Sequence, residues 1–265
     1  MTSFVWGGLA LKLLGAPLLI LAASLAGRRW GEAIGGWLVG LPLTSGPAIF
    51  LLALDQGTDF AARSATGSVG GVIAQAAFCL GYAWVADVVG IGGGLLAGTA
   101  SFALAGWALQ TAALPLLPVF ALAAVLLTVA VRVFPRRITP VQQGRMSRND
   151  LPLRMVVAAL VVLGITAAAP TLGPRLSGLL TTFPIMASIL SLFAHRAYGP
   201  GAARRVLFGL LLGIYAFGTF FFVLGLSIRP LGIPAAFALA IAAALLVQGG
   251  SLLAMLWRSR IAAAR

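Results

Sequence analysis

The sequence predicts an all-α, polytopic membrane protein, and three observations predict it. Of 265 residues, 61% are hydrophobic and only 9% are charged, too few polar groups to coat a soluble domain of this size. The apolar residues run in continuous blocks rather than alternating, several of them near the roughly 20 residues that a helix needs to cross a bilayer. Helices also satisfy their own backbone in lipid, where no water can do so. Finally, one pattern of glycine, proline and cation occurs twice, 142 residues apart and without a gap.

Taken in order, the blocks predict nine spans, at roughly 4–26, 33–54, 61–86, 89–112, 114–133, 151–169, 175–194, 203–227 and 233–257. Before the first span there is no basic stretch, and Arg28-Arg29 follow it, the reverse of a cleavable signal, so no removable leader is expected. The division between spans four and five falls near Ala113 to Pro115. Between spans five and six lies the longest polar stretch, Arg132 to Asp150, read as a cytoplasmic linker. Trp6, Trp30, Trp84 and Trp257 fall near span ends, as residues of an interfacial belt do.

The net charge of +13 would suggest nucleic acid in a soluble protein; here it reflects arginine-rich cytoplasmic ends, and no nucleic-acid partner is expected. With the N-terminus outside, fourteen arginines fall on inner segments and only Arg63, Arg175 and Arg229 on outer ones. The expected placement is therefore multi-pass in a bacterial inner membrane, N-terminus out and C-terminus cytoplasmic, with the lipid bilayer as the obligate partner. The one cysteine, Cys79, lies in an apolar run, so no disulfide within the chain is possible.

The repeat sets the organisation. Gly36, Pro42, Gly57, Arg63, Gly67 and Gly71 recur as Gly178, Pro184, Gly199, Arg205, Gly209 and Gly213. Lys12 meets Arg154, and Gly90-Ile91 meets Gly232-Ile233. Residues 1–112 are thus expected to form a first four-helix repeat and residues 151–265 a second. Residues 113–150 supply a connecting span and the basic linker. The unpaired fifth span turns the second copy over, giving inverted-topology repeats about an axis in the membrane plane.

A cation early in the first span, a Gly-x-x-x-x-x-Pro segment, and Gly and Arg opening the next span form a pattern that resembles the small four-span GlpM-like inner-membrane proteins. The stretch from Arg154 through Gly178-Leu-Leu-Thr-Thr-Phe-Pro184 to Ala203-Arg204-Arg205 resembles them best. The resemblance implies a fused pair of such units joined by span five. It implies architecture and no substrate.

Several residues are candidates for a site. Pro42 and Pro184 fall near the middle of spans two and seven, where each is expected to free the carbonyl four residues earlier, at Leu38 and Leu180. Thr44, Ser45, Thr181 and Thr182 stand near enough to satisfy them. Matching breaks in the two copies point to a transport site, although a kink that merely lets helices pack has the same signature. Lys12 and Arg154 place cations inside spans with no obvious acidic partner, because Glu32, Asp55, Asp59, Asp87 and Asp150 sit at span ends. Their expected partner is an anionic small molecule or lipid headgroup, the alternative being long side chains that reach the interface. Gly67, Gly71, Gly209 and Gly213 are expected to let helices approach closely. Asp59 is spaced to pair with Arg63, and His195, the only histidine, is expected at an interface.

No carboxylate pair, Ser/His/Asp set, metal cluster or phosphate-cradling glycine spacing occurs within the spans, so neither an enzyme nor a metal or cofactor is expected. The reading is a small transporter, or a translocator of lipid or anion, with its site near the midplane between the repeats. A non-catalytic scaffold or accessory subunit of an envelope-biogenesis complex is the alternative.

Overall fold

The computed structural model describes residues 2–135, 150–161, 163–164 and 183–263, with side chains from residue 15 onward apart from 16, 162, 254 and 256–263. Among these residues every regular element is a helix, and three helices are long and apolar enough to cross a membrane. Thr181, Thr182 and most of the basic linker lie outside the described residues, as does the side chain of Lys12.

Helix α1 spans Thr2–Trp30 and ends on Arg28 and Arg29, cations suited to the negative end of the helix dipole. Gly31, at φ 100°, turns the chain into α2, Glu32–Val39. The two helices touch through glycines: a Cβ on Gly35 would lie 2.7 Å from the Ala23 carbonyl oxygen. Helix α3, Ser45–Ala112, is three helical lengths divided by Gly57 (φ 84°, ψ 173°) and Gly90 (φ 70°, ψ −163°). The lengths on either side of Gly90 fold back on each other, Phe78 lying against Gly98 and Tyr82 against Gly94. Ala113, at φ 44°, ends α3, and α4 follows at Leu116–Val133. The expected division near Ala113 to Pro115 falls at this turn.

Residues 150–161 form α5, Ile185–Tyr198 form α6, and Gly199 (φ 83°, ψ 178°) leads into α7, Pro200–Ala263. Gly232 (φ 74°, ψ 176°) divides α7, with Pro234 in the first turn of its second length, where a missing N–H costs nothing.

The centre of the fold is a pair of long helical lengths, 58–89 of α3 and 200–231 of α7. They run in opposite directions: Gly218 sits beside Val72, and Gly225 beside Ala65. Each is about 48 Å long at 1.5 Å per residue, enough to cross a bilayer with its headgroups. Val69 and Phe78 of the first and Leu207, Leu211, Ile214 and Leu224 of the second are fully buried in one core. In lipid this contact draws on close van der Waals fit rather than water exclusion. An ion pair closes each end, Asp87 with Arg204 and Asp59 with Arg229.

The hinge glycines give a direct prediction. A Cβ on Gly57, Gly90 or Gly232 would meet nothing within 4 Å, so only the backbone resists a side chain there. Replacing any one by alanine is expected to cost about 1–2 kcal/mol, and by asparagine less, because asparagine visits positive φ more readily. Unfolding of the purified variants in SDS/detergent mixtures checks this; alanine variants as stable as the parent would contradict the hinge assignment.

Candidate functional site

The first candidate is the break at Pro42. Sequence reasoning placed this proline inside a continuous helix, and the structure corrects that: α2 ends at Val39, α3 begins at Ser45, and Gly40 to Thr44 are non-helical between them. Pro184 likewise stands outside a helix, as the residue preceding α6. The physical reason is that Pro42 lacks the N–H that would continue α2, and Gly40 eases termination. The Leu38 carbonyl is not left to a hydroxyl, as expected, but accepts the Leu41 N–H at 3.2 Å in a tightened last turn. Beyond the break, Pro42 and Thr44 carbonyls start the α3 ladder by accepting from Gly46 and Ala48. At Pro184, Ser188 closes the first turn of α6 with both its N–H and its hydroxyl on the Pro184 carbonyl. The Phe183 ring packs edge-on to Phe78 and Phe102, fixing the start of α6 against the hairpin of α3.

A polar network that sequence reasoning missed sits on the end of α2. The Gln248 Nε2 donates to the Trp37 carbonyl at 3.1 Å, and the Trp37 indole donates to Ser251 Oγ at 2.9 Å. Ser251 in turn donates to the Gln248 carbonyl at 2.8 Å. Gln248 is only 3% exposed, and its Oε1 has no hydrogen-bond partner. The amide cannot simply be turned over, since Oε1 would then face the Trp37 carbonyl, acceptor against acceptor. Gln248-Gly-Gly-Ser251 within an apolar run was the available signal.

The seam carrying this network is tight. A Cβ on Gly36 or Gly40 would overlap the backbone of Val206 or Gly213, and one on Gly209 or Gly213 would overlap the carbonyls of Ala33 or Trp37. Gly209 and Gly213 thus stand where α7 comes closest to α2. Gly71 is buried, but Gly67 is exposed with nothing within 4 Å of a Cβ, so it makes no such contact.

The cations also differ from expectation. Arg154 is 2% exposed and is paired: Nη2 and Nε reach Asp150 Oδ2 at 2.9 and 3.2 Å, Nη1 reaches Ser24 Oγ at 3.2 Å, and its guanidinium lies 5.0 Å from the Phe193 ring centroid. Asp150, one helical turn earlier, was in the right register to be found. Asp59 pairs with Arg229 at 2.6 Å rather than with Arg63, and Arg229's hydrogen bond and charge hold its carboxyl below the usual carboxylate value. Glu32 opens α2 near Arg28, Arg154 and Arg205; burial raises its pKa, and these arginines oppose the rise. His195 is not merely interfacial, since its Nδ1 meets the Tyr82 hydroxyl at 3.0 Å. Among the described residues no group of three or more His, Cys, Asp or Glu is placed to hold a metal ion.

Among the described residues, fold and site together define a helical protein with three helices long and apolar enough to cross a membrane, a break between α2 and α3, and a buried neutral polar network at the end of α2. No family model matches the chain, and no curated protein or solved structure does.

Proposed function

We propose that the chain is a small multi-pass transporter, or a translocator of lipid or a small anion, built as nine spans in two inverted repeats. The observation that carries this reading is the matched placing of two prolines 142 residues apart, Pro42 in the non-helical link between α2 and α3 and Pro184 immediately before α6. The hinge glycines support the repeat beneath it. Gly57, Gly90, Gly199 and Gly232 all share one backbone conformation, with φ of 84°, 70°, 83° and 74° and ψ of 173°, −163°, 178° and 176°. Gly57 with Gly199 and Gly90 with Gly232 lie at the offset of 142 residues read from the sequence. The antiparallel central pair, 58–89 with 200–231, is the contact that an inverted repeat makes with itself. The arginine bias supports an N-out, C-in placement in a bacterial inner membrane, and the GlpM-like resemblance keeps its architectural meaning.

In this reading the halves rock about the central pair, and the broken ends near Pro42 and Pro184 are exposed to each side in turn. Thr44 and Ser45 stand at the break after α2, and Thr181 and Thr182, outside the described residues, are their counterparts in sequence. Gln248 Oε1 offers a buried acceptor at the end of α2. Arg154, being held by Asp150, orders the fold, so contact with an anion falls to Lys12. The competing scaffold reading draws on the glycine seam, which is as tight as a permanent contact.

Access separates the two readings. In a Cys79→Ala background reconstituted in liposomes, Thr44→Cys is expected to react with a membrane-impermeant maleimide from either side. Labelling from neither side, in protein shown to be folded, would sink the transport reading and leave the scaffold.

A further inference from the structure

Five side chains from both halves of the chain converge at one end of the central pair. Tyr82 and Asp87 come from length 58–89, Ser191 and His195 from α6, and Arg204 from the first turns of α7. The Tyr82 hydroxyl and His195 Nδ1 are 3.0 Å apart, and their rings meet edge to face. Ser191 interacts with the same hydroxyl while its own proton is directed to the Ser188 carbonyl at 3.1 Å. Asp87 and Arg204 form an ion pair, and their charges act on His195 in opposite senses. His195 also accepts, through its carbonyl, the N–H of hinge residue Gly199 at 2.8 Å. The exposed Arg196 is its neighbour on α6.

We propose that the His195 imidazole is a proton-binding site at the seam between the two halves. Its charge state sets the strength of the Asp87–Arg204 pair that ties length 58–89 to length 200–231. The inference deepens the transport reading by supplying a proton as coupling ion, yet its chemistry does not depend on any substrate.

The proton balance is simple. Neutral His195 either accepts the Tyr82 O–H at Nδ1, with its own hydrogen on Nε2, or donates Nδ1–H to the Tyr82 oxygen. One proton taken from solution makes the same imidazolium from either form, with Nδ1–H donating to Tyr82. In the first form the Tyr82 hydrogen turns toward Ser191, whose oxygen retains a free lone pair. No other bond is made or broken. The new positive charge attracts Asp87 and repels Arg204, so the carboxylate is shared and the clamp loosens. Burial and Arg204 favour the neutral ring, and Asp87 alone favours the charged one. The clamp is therefore tight above the ordinary histidine pKa of about 6.5 and loosens as pH falls below it.

The test uses the full chain, purified without a histidine tag, in nanodiscs of phosphatidylethanolamine and phosphatidylglycerol. Because His195 is the only histidine, ¹⁵N-histidine labelling gives one imidazole to follow by NMR. Its titration midpoint is expected below 6.5 in the parent, lower still in Asp87→Asn, and higher in Arg204→Gln. Spin labels replacing the exposed Val88 on length 58–89 and the half-buried Arg205 on length 200–231, in a Cys79→Ala background, read the clamp. Their separation is expected to lengthen between pH 8 and pH 5 with the same midpoint, and to stay constant in His195→Gln. A separation that is constant in the parent overturns the inference, and so does an equal change in His195→Gln. Should either charge variant fail to fold, the parent and His195→Gln still decide it. A responsive clamp in protein whose Thr44→Cys labels from neither side would keep the proton site and remove transport.

Discussion

Gly209→Ala and Gly213→Ala are expected to destabilise the protein by about 2–4 kcal/mol each, because a methyl group at either position would have to displace backbone rather than a pliable side chain. Gly209 lies on the Ala33 carbonyl and Gly213 on the Trp37 carbonyl, so the added carbon pushes α2 off α7 as a unit. That movement also pulls the Trp37 carbonyl away from Gln248 Nε2 and the Trp37 indole from Ser251. The polar network then breaks together with the packing. Gly67→Ala is the internal control. It occupies the same place in the repeated motif as Gly209, yet it is exposed with open space above it. Alanine there is expected to be neutral or to stabilise by up to about 1 kcal/mol through helix propensity. Unfolding midpoints in SDS/detergent mixtures compare the three. Equal effects at Gly67 and Gly209 would mean that the seam between α2 and α7 is not where the structure puts it.

Asp150→Asn and Arg154→Met are each expected to cost about 3–5 kcal/mol, since either leaves the partner's charge buried without its counter-ion. Arg154 is 2% exposed, its remaining hydrogen-bond partner Ser24 supplies one neutral oxygen, and Glu32 acts on it only as a nearby charge shared with Arg28 and Arg205. The double variant Asp150→Asn/Arg154→Met is expected to recover most of the loss, because removing both charges also removes their desolvation cost. A double variant no more stable than the worse single one would show that Arg154 is held by something other than Asp150. This cycle also guards the functional reading. Loss of activity in an Arg154 variant alone reports unfolding as readily as a lost substrate contact, whereas the double variant separates them.

Much of the fold was legible because its signals are local. Composition and run length require membrane-crossing helices, and a glycine needed at positive φ shows itself by recurring at the same offset, as Gly57 and Gly90 do. The turn at Ala113 to Pro115 was read for the same reason. The candidate site was less legible. Pro42 announced a disturbance, but whether a helix kinks or stops depends on what else holds the next turn, and Gly40 with the seam to α7 makes it stop. Arg154 looked unpaired because span ends were drawn one residue too late to include Asp150. Asp59 found Arg229, 170 residues away, instead of Arg63 on its own helix, and no sequence spacing encodes that.

The sequence by itself determined the helical membrane class and the duplicated motif with its recurring glycines, because backbone satisfaction in lipid and the spacing of residue types are properties of short stretches. Only the tertiary structure decided which copy of Gly-x-x-x-Gly bears the packing, which acid neutralises which arginine, and that Gln248 and His195 face partners from the other half. Those outcomes depend on the register of helices far apart in the chain, which close van der Waals fit fixes and local composition does not.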